Sequence, residues 1–326
     1  MINGGFAVSN VVSIDGPVIV TRELPRQLQL FEQVLGMQRI YDEQLDAEQT
    51  AAWFGVAQQT ARILLLETPG TGIGVQLVEF SPGSDTVIRV GGVGIASDAL
   101  KMIDFFTSDL AAAKQAFRRH DFELVTEGAQ MQLPDGNRFI EAHIKGPDGV
   151  MIAAILSQTA PAANFVSVTD RLFSEVQSSS GPVSDFEPVR HFYEDVLGIA
   201  MGLSYEFESK AFSDMIGAGK TTKIRANNYG RVVEDVMLGI IHYGLPPGSF
   251  ESLRERARPP HRGVVGVRLT VRDLSAVLEC CAQHDIEVAV PAASLQVAGR
   301  EFRSAVVRGP HGVWHFLREA PKTAVD

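Results

Sequence analysis

The chain has 326 residues, 45% of them hydrophobic and 21% charged, which suits two domains with sizeable cores rather than a disordered or fibrous protein. Its formal net charge of −10, with Lys and Arg scattered along the chain, argues against nucleic acid or an anionic membrane surface as a partner. No stretch approaches the roughly 20 apolar residues of a membrane span. The N-terminal segment lacks the basic start of a signal peptide. The two cysteines, Cys280 and Cys281, are adjacent and offer no disulfide framework. A cytoplasmic setting is therefore expected, with both cysteines acting as small apolar helix residues.

In chain order, the β-branched run around Val18, Ile19 and Val20 predicts a strand. Leu24, Leu28, Phe31 and Leu35 follow at helical spacing, and Gly36 stops that helix. Strands are expected at 61–67 and 73–80, on either side of a Pro–Gly turn. The plan then repeats. MIDFFT at 102–107 is a strand, Ser108 or Asp109 caps a helix carrying Leu110 and Phe117, and strands at 139–145 and 150–156 flank the turn GPDG. The third quarter carries extra residues at 174–190 and 203–232, and the fourth is compact.

Three pairs of segments match in the same order: FEQVLGM at 31–37 with YEDVLGI at 193–199, 108–124 with 272–288, and KGPDGVM at 145–151 with RGPHGVW at 308–314. The halves are therefore duplicates, 1–160 and 161–326, with TAPAANF at 159–165 as the expected linker. Each half holds two βαβββ modules, so the fold class is α+β.

This plan, with LFEQVLG at 30–36, HFYEDVLG at 191–198, the helix starts SDL and RDL, and the turns GPDG and GPHG, resembles the vicinal oxygen chelate superfamily. That superfamily includes glyoxalase I, bleomycin-resistance proteins and extradiol dioxygenases. The resemblance implies that modules pair into half-open barrels around a cavity. The expected pairing is within each half, with 1–160 a scaffold domain and 161–326 the domain with the ligand cavity.

The resemblance also implies a divalent metal, held by His, Glu or Gln on the first and last strand of each module. Counted from the signatures, the first-strand positions hold Pro17, Met102, Phe173 and Gly266, and the last-strand positions hold Gln76, Ala153, Gly239 and Phe316. One ligand, Gln76, makes no site, so no metal and no other cofactor is expected. A rearranged site using His242, His315, or Glu141 with His143 is the alternative. His120 and His284 sit at equivalent helix C-termini, where an imidazole suits the dipole. GAGKTT at 217–222 has Asp214 where a phosphate loop needs its first glycine, and is read as a polar loop tip.

Two residues beyond the first-strand positions lie Ile19, Asp104, Glu175 and Arg268, all expected to face a cavity. Glu175 and Arg268 would share the C-terminal barrel, Arg268 gripping an anion and Glu175 taking a proton. A self-balancing buried ion pair is the competing reading. Phe173, Gln177, Trp314 and Phe316 would line that cavity. The expected function is metal-independent acid/base chemistry, of lyase or isomerase type, on a small aromatic or carbonyl-containing molecule. The alternatives are a ligand-sequestering protein and a dioxygenase with displaced metal ligands. A small organic molecule is the expected partner, and a homodimer is compatible with the sequence.

Overall fold

The computed structural model describes residues 9–91, 94–159, 171–232, 234–246 and 248–321. The linker expected at 159–165 lies, beyond Thr159, outside them. Four modules follow one another. The first comprises β1 (Val11–Val20), α1 (Leu24–Leu28, continued by a wider π-helical turn, Gln29–Val34), β2 (Gln38–Leu45), α2 (Ala47–Phe54), β3 (Thr60–Glu67) and β4 (Gly74–Ser81). The second has β5 (Met102–Thr107), α3 (Leu110–Arg119), the short β6 (Glu123–Leu124) and β7 (Ala129–Gln132), β8 (Arg138–Lys145) and β9 (Met151–Ser157). The third has β10 (Phe173–Pro182), α4 (Phe186–His191, again with a π continuation, Phe192–Val196), β11 (Met201–Glu208), α5 (Lys210–Met215), β12 (Lys223–Tyr229) and β13 (Met237–His242). The fourth has β14 (Gly263–Val271), α6 (Leu274–Gln283), β15 (Glu287–Val297), β16 (Arg300–Arg308) and β17 (Trp314–Glu319). No helix among the described residues is long and apolar enough to cross a membrane.

Local sequence explains the helix boundaries. Asp109 accepts hydrogen bonds from the Ala111 and Ala112 amides, and Asp273 from that of Ala276, so α3 and α6 start on equivalent caps. Gly36 and Gly198 take positive φ values of 72° and 65° after the two π turns, a conformation in which a side chain would be strained. The segments 174–190 and 203–232 are not loop insertions. The first is β10 and the start of α4; the second is β11, α5 and β12, the counterpart of β2, α2 and β3 in the first module.

The pairing of modules differs from the expectation. Strand order in the first sheet is β15-β16-β17-β14-β1-β4-β3-β2, and in the second β11-β12-β13-β10-β5-β9-β8-β6, with β7 on β8. Module 1 therefore pairs with module 4 through antiparallel β1 and β14, and module 2 with module 3 through antiparallel β5 and β10. The halves 1–160 and 161–326 are duplicates in sequence, but neither forms a barrel by itself. A repeat defines the module. It does not define which first strand each first strand meets.

The helices α1, α3, α4 and α6 contribute Phe31, Phe117, Phe192 and Leu274 to one apolar core shared with both sheets. From the sheets this core takes Ile19, Leu64, Val267 and Leu269 on one side and Ile103, Phe105, Phe173 and Val176 on the other. Cys281 is buried in the same core and both cysteines are free.

Candidate functional site

Each sheet turns its other face away from the shared core, and these two concave faces differ. In the first sheet, Val18, Val20, Ile63, Val78, Val265, Trp314 and Phe316 form a closed apolar cluster with Trp53 and Phe54 of α2. The Phe54 ring lies 5.1 Å from Trp53, 5.5 Å from Phe80 and 5.6 Å from Phe316. In the second sheet the corresponding space is a cavity of about 220 Å³. Its wall is apolar, with Phe106, Met131, Phe139, Phe207, Phe212 and Ile224 among its lining residues.

A polar band crosses the floor of that cavity. Register places His143 opposite Ala153, Ala153 opposite Asp104, and Asp104 opposite Ser178. The Ser178 hydroxyl donates to the Asp104 carboxyl. His143 Nε2 meets Glu141 Oε1 at 2.6 Å; the imidazole donates, since an ionised carboxylate can only accept. That assignment leaves the lone pair on His143 Nδ1, which has no partner among the described residues. Burial, reinforced by the charge of Glu141, pushes the Asp104 carboxyl up to about 8 against the smaller opposing effect of Ser178. Asp104 is thus a neutral acid near pH 7. Burial likewise raises the Tyr205 and Tyr243 hydroxyls, which remain protonated donors. Lys101, just before β5, donates to Tyr243 Oη and to the Gly94 carbonyl, both at 3.1 Å. Burial brings its amine down to about 7.

The expected site residues are dispersed. Glu175 and Arg268 lie in different sheets and share no cavity. Glu175 is buried, with Oε2 unpartnered among the described residues, and is not part of the cavity lining. Arg268 donates to the Asp15 and Gly74 carbonyls at 2.8 and 3.1 Å, linking β14 to β1 and β4. Phe173 belongs to the shared core, 5.4 Å from Phe117. Trp314 and Phe316 are aromatic lining as expected, but of the filled barrel. Of the expected binding residues, only Gln177 lines the open cavity.

The cause is register. The local two-fold between β5 and β10 carries Met102 onto Ser178 and Asp104 onto Ser180, five residues beyond Phe173 and Glu175. Irregularities in β10 between Phe173 and Val176, and between Val176 and Ser178, shift the alternation. In β1, Val18 faces the filled cluster and Ile19 the shared core, so Pro17 and Ile19 were one residue out of phase. Asp104 does face the cavity, and the Glu141–His143 pair does form there. Tyr205 was missed, although Leu203, Tyr205 and Phe207 alternate with Ser204, Glu206 and Glu208 as a one-sided strand should. Lys101 had no such signal.

In the open barrel the positions that would hold a divalent ion are Met102, Ser178, Ala153 and Gly239. In the filled barrel Gln76 stands opposite Val18 with its Nε2 unpartnered among the described residues. One thioether and one hydroxyl do not fit a divalent ion. No group of three His, Cys, Asp or Glu side chains suited to a metal occurs among the described residues.

Comparison with known proteins agrees with the module plan. A family model for the Glyoxalase/Bleomycin resistance protein/Dioxygenase superfamily matches residues 13–154. That match spans the first two modules, less than half of the chain. Its architecture extends over the whole chain: glyoxalase I from Zea mays aligns with a TM-score of 0.60 over 94% of this chain and 92% of its own, at 15% identity. A putative dioxygenase from Bacillus subtilis aligns with a TM-score of 0.60 over 96% and 87%, at 11% identity. At such identities the likeness is one of fold alone. No curated protein matches the sequence.

Proposed function

We propose that the cavity between modules 2 and 3 binds a small, largely apolar carbonyl compound and moves a proton within it. The observation that carries this reading is the neutral Asp104 carboxyl beside the Glu141–His143 pair, on the floor of an otherwise apolar cavity. A cavity of about 150 Å³ can hold benzene, so about 220 Å³ suits one ring with a short substituent. A neutral carboxyl can donate a hydrogen bond, and then its proton, to a carbonyl oxygen that gains charge. The hydrogen-bonded Glu141–His143 pair can accept the proton leaving the adjacent carbon. Proton loss at carbon and proton gain at oxygen give an enol, the first step of isomerase or lyase chemistry.

The test is exchange of the α-hydrogens of phenylacetone in deuterated water, followed by NMR. The wild type should accelerate exchange, and Asp104→Asn and His143→Gln should each bring it near the buffer rate while still binding the ketone. Binding with no accelerated exchange in the wild type would sink the catalytic reading and favour sequestration, which the apolar wall alone would support. No binding at all would remove the cavity reading.

A further inference from the structure

We infer that the natural ligand of this cavity is an apolar carboxylic acid, its carboxylate anchored by Lys101; this rests on the cavity reading above. Lys101 is 3% exposed and lines the cavity. Its ammonium has two neutral acceptors, the Gly94 carbonyl and Tyr243 Oη, and no ion-pair partner among the described residues. Burying an ammonium without an anion is costly unless a ligand supplies one. A second cation lies close. Arg89 is 4% exposed, donates to the carbonyls of Ala96 and Asp98, and also forms no ion pair among the described residues. Its charge acts on Lys101 in the same direction as burial, and only the more weakly felt Glu141 opposes them. Asp98, whose carbonyl Arg89 meets, has its carboxyl engaged by the Ser184 and Ser252 hydroxyls.

The remaining surroundings suit the anionic head and an apolar tail. Tyr243, whose ring also lies 5.3 Å from the Lys101 amine, keeps its hydroxyl protonated and can donate to a carboxylate. Neutral Asp104 does not repel an anion at pH 7. From this end the cavity runs past Phe207, Phe212, Ile216 and Ile241, which offer no polar competitor to the tail.

The experiment compares acid and alcohol pairs of one shape, phenylacetate with phenethyl alcohol and hexanoate with hexanol, by calorimetry. At pH 6.5 the acid of each pair should bind at least about tenfold more tightly than its alcohol, as a charge-assisted contact in a dry site implies. Acid affinity should fall as pH rises through about 7, where Lys101 loses its proton, while alcohol affinity stays flat. Asp104 ionises near 8 and repels the acid in the same sense, so Lys101→Met is the control. It keeps Asp104, Glu141 and Arg89 and should lose the preference for acid while binding the alcohol unchanged. Should Lys101→Met not fold, the wild-type acid and alcohol series decides alone. Alcohols binding as well as acids would overturn the anion anchor and leave the cavity reading standing. Failure of both to bind would overturn both.

Discussion

The two barrels are built from the same parts and put them to opposite uses. Helix α2, inserted between the second and third strands of module 1, fills its barrel with Trp53 and Phe54. Helix α5, inserted at the same place in module 3, lines the edge of its barrel with Phe212 and, at its C-cap, Ile216, flanking a space it does not fill. The difference is one of side-chain volume and reach. Where α2 offers a stacked Trp–Phe pair to Phe80, Phe302 and Phe316, α5 offers one ring, packed 5.2 Å from Phe207. An apolar cluster closed on itself gives stability. A gap lined by the same kinds of residue leaves room for a ligand, at the expense of some stability.

The largest effect expected from this contrast is on stability. Phe54→Ala should cost about 3–5 kcal/mol, because its ring is fully buried among aromatic neighbours. Phe212→Ala should cost only about 1–2 kcal/mol, since its ring already borders empty space. Denaturant titration of both variants measures the gap, and equal losses would mean that both barrels serve as core. Next comes Asp104. Its carboxyl is raised from 3.8 to about 8, so between these values the folded chain holds a proton that the unfolded chain has released. Stability is therefore highest below pH ~4 as far as this group is concerned and is lost as pH rises towards 8. Asp104→Asn removes that loss and should be on the order of 3 kcal/mol more stable than the wild type at pH 8.5, relative to their difference at pH 4.5. A pH-independent difference would show Asp104 to be solvated.

The third expectation concerns the core that both barrels share. Tyr193 Oη meets His311 Nε2 at 3.0 Å and His315 Nε2 at 3.3 Å. Burial pushes the His315 imidazole down to about 3 and that of His311 well below its ordinary range. Folded, both stay neutral; unfolded, both take up protons below pH ~6.5. Their contribution is thus fully present above pH ~6.5 and declines as pH falls, for His315 towards pH ~3, by about 1.4 kcal/mol per pH unit for each histidine. In His315→Gln the slope between pH 6 and 4.5 should be smaller by about half, and an unchanged slope would assign acid sensitivity elsewhere. The smallest effect is that of Gln177→Ala, on the cavity wall and only partly buried. Stability should move by less than about 0.5 kcal/mol, while affinity for the ketone or acid probes should drop several-fold.

Much of this was legible in the sequence, and the failures have identifiable causes. The module boundaries, the caps at Asp109 and Asp273 and the strand 102–107 follow from short-range rules that operate within a few residues. Asp104 was placed on an inner face because β5 is regular and its alternation holds. Glu175 was misplaced because β10 is irregular beside it, and a side-chain alternation of period two fails after one extra residue. Arg268 was placed on the right face of β14 but assigned to the wrong partner strand, since antiparallel pairing of one first strand with another leaves no local mark. The filling of one barrel by Trp53 and Phe54 depends on α2, a helix absent from the sequence reading, though its Asp46 and Gln49 form a full capping box.

The crossed pairing of modules also bears on how the chain is made. Strand β1 is laid against β14, roughly 250 residues later, whereas β5 meets β10 about 75 residues on. At about 5–20 residues per second of synthesis, the inner barrel can close while the ribosome is still translating the fourth module. The first module must then wait about ten seconds or longer, with one edge of β1 bare, until β14 emerges. The enclosing barrel is the one that completes last, and it is also the one whose interior is packed solid with aromatic rings. A late-closing sheet with a large apolar interior joins the first module to the fourth after the barrel with the open cavity is complete.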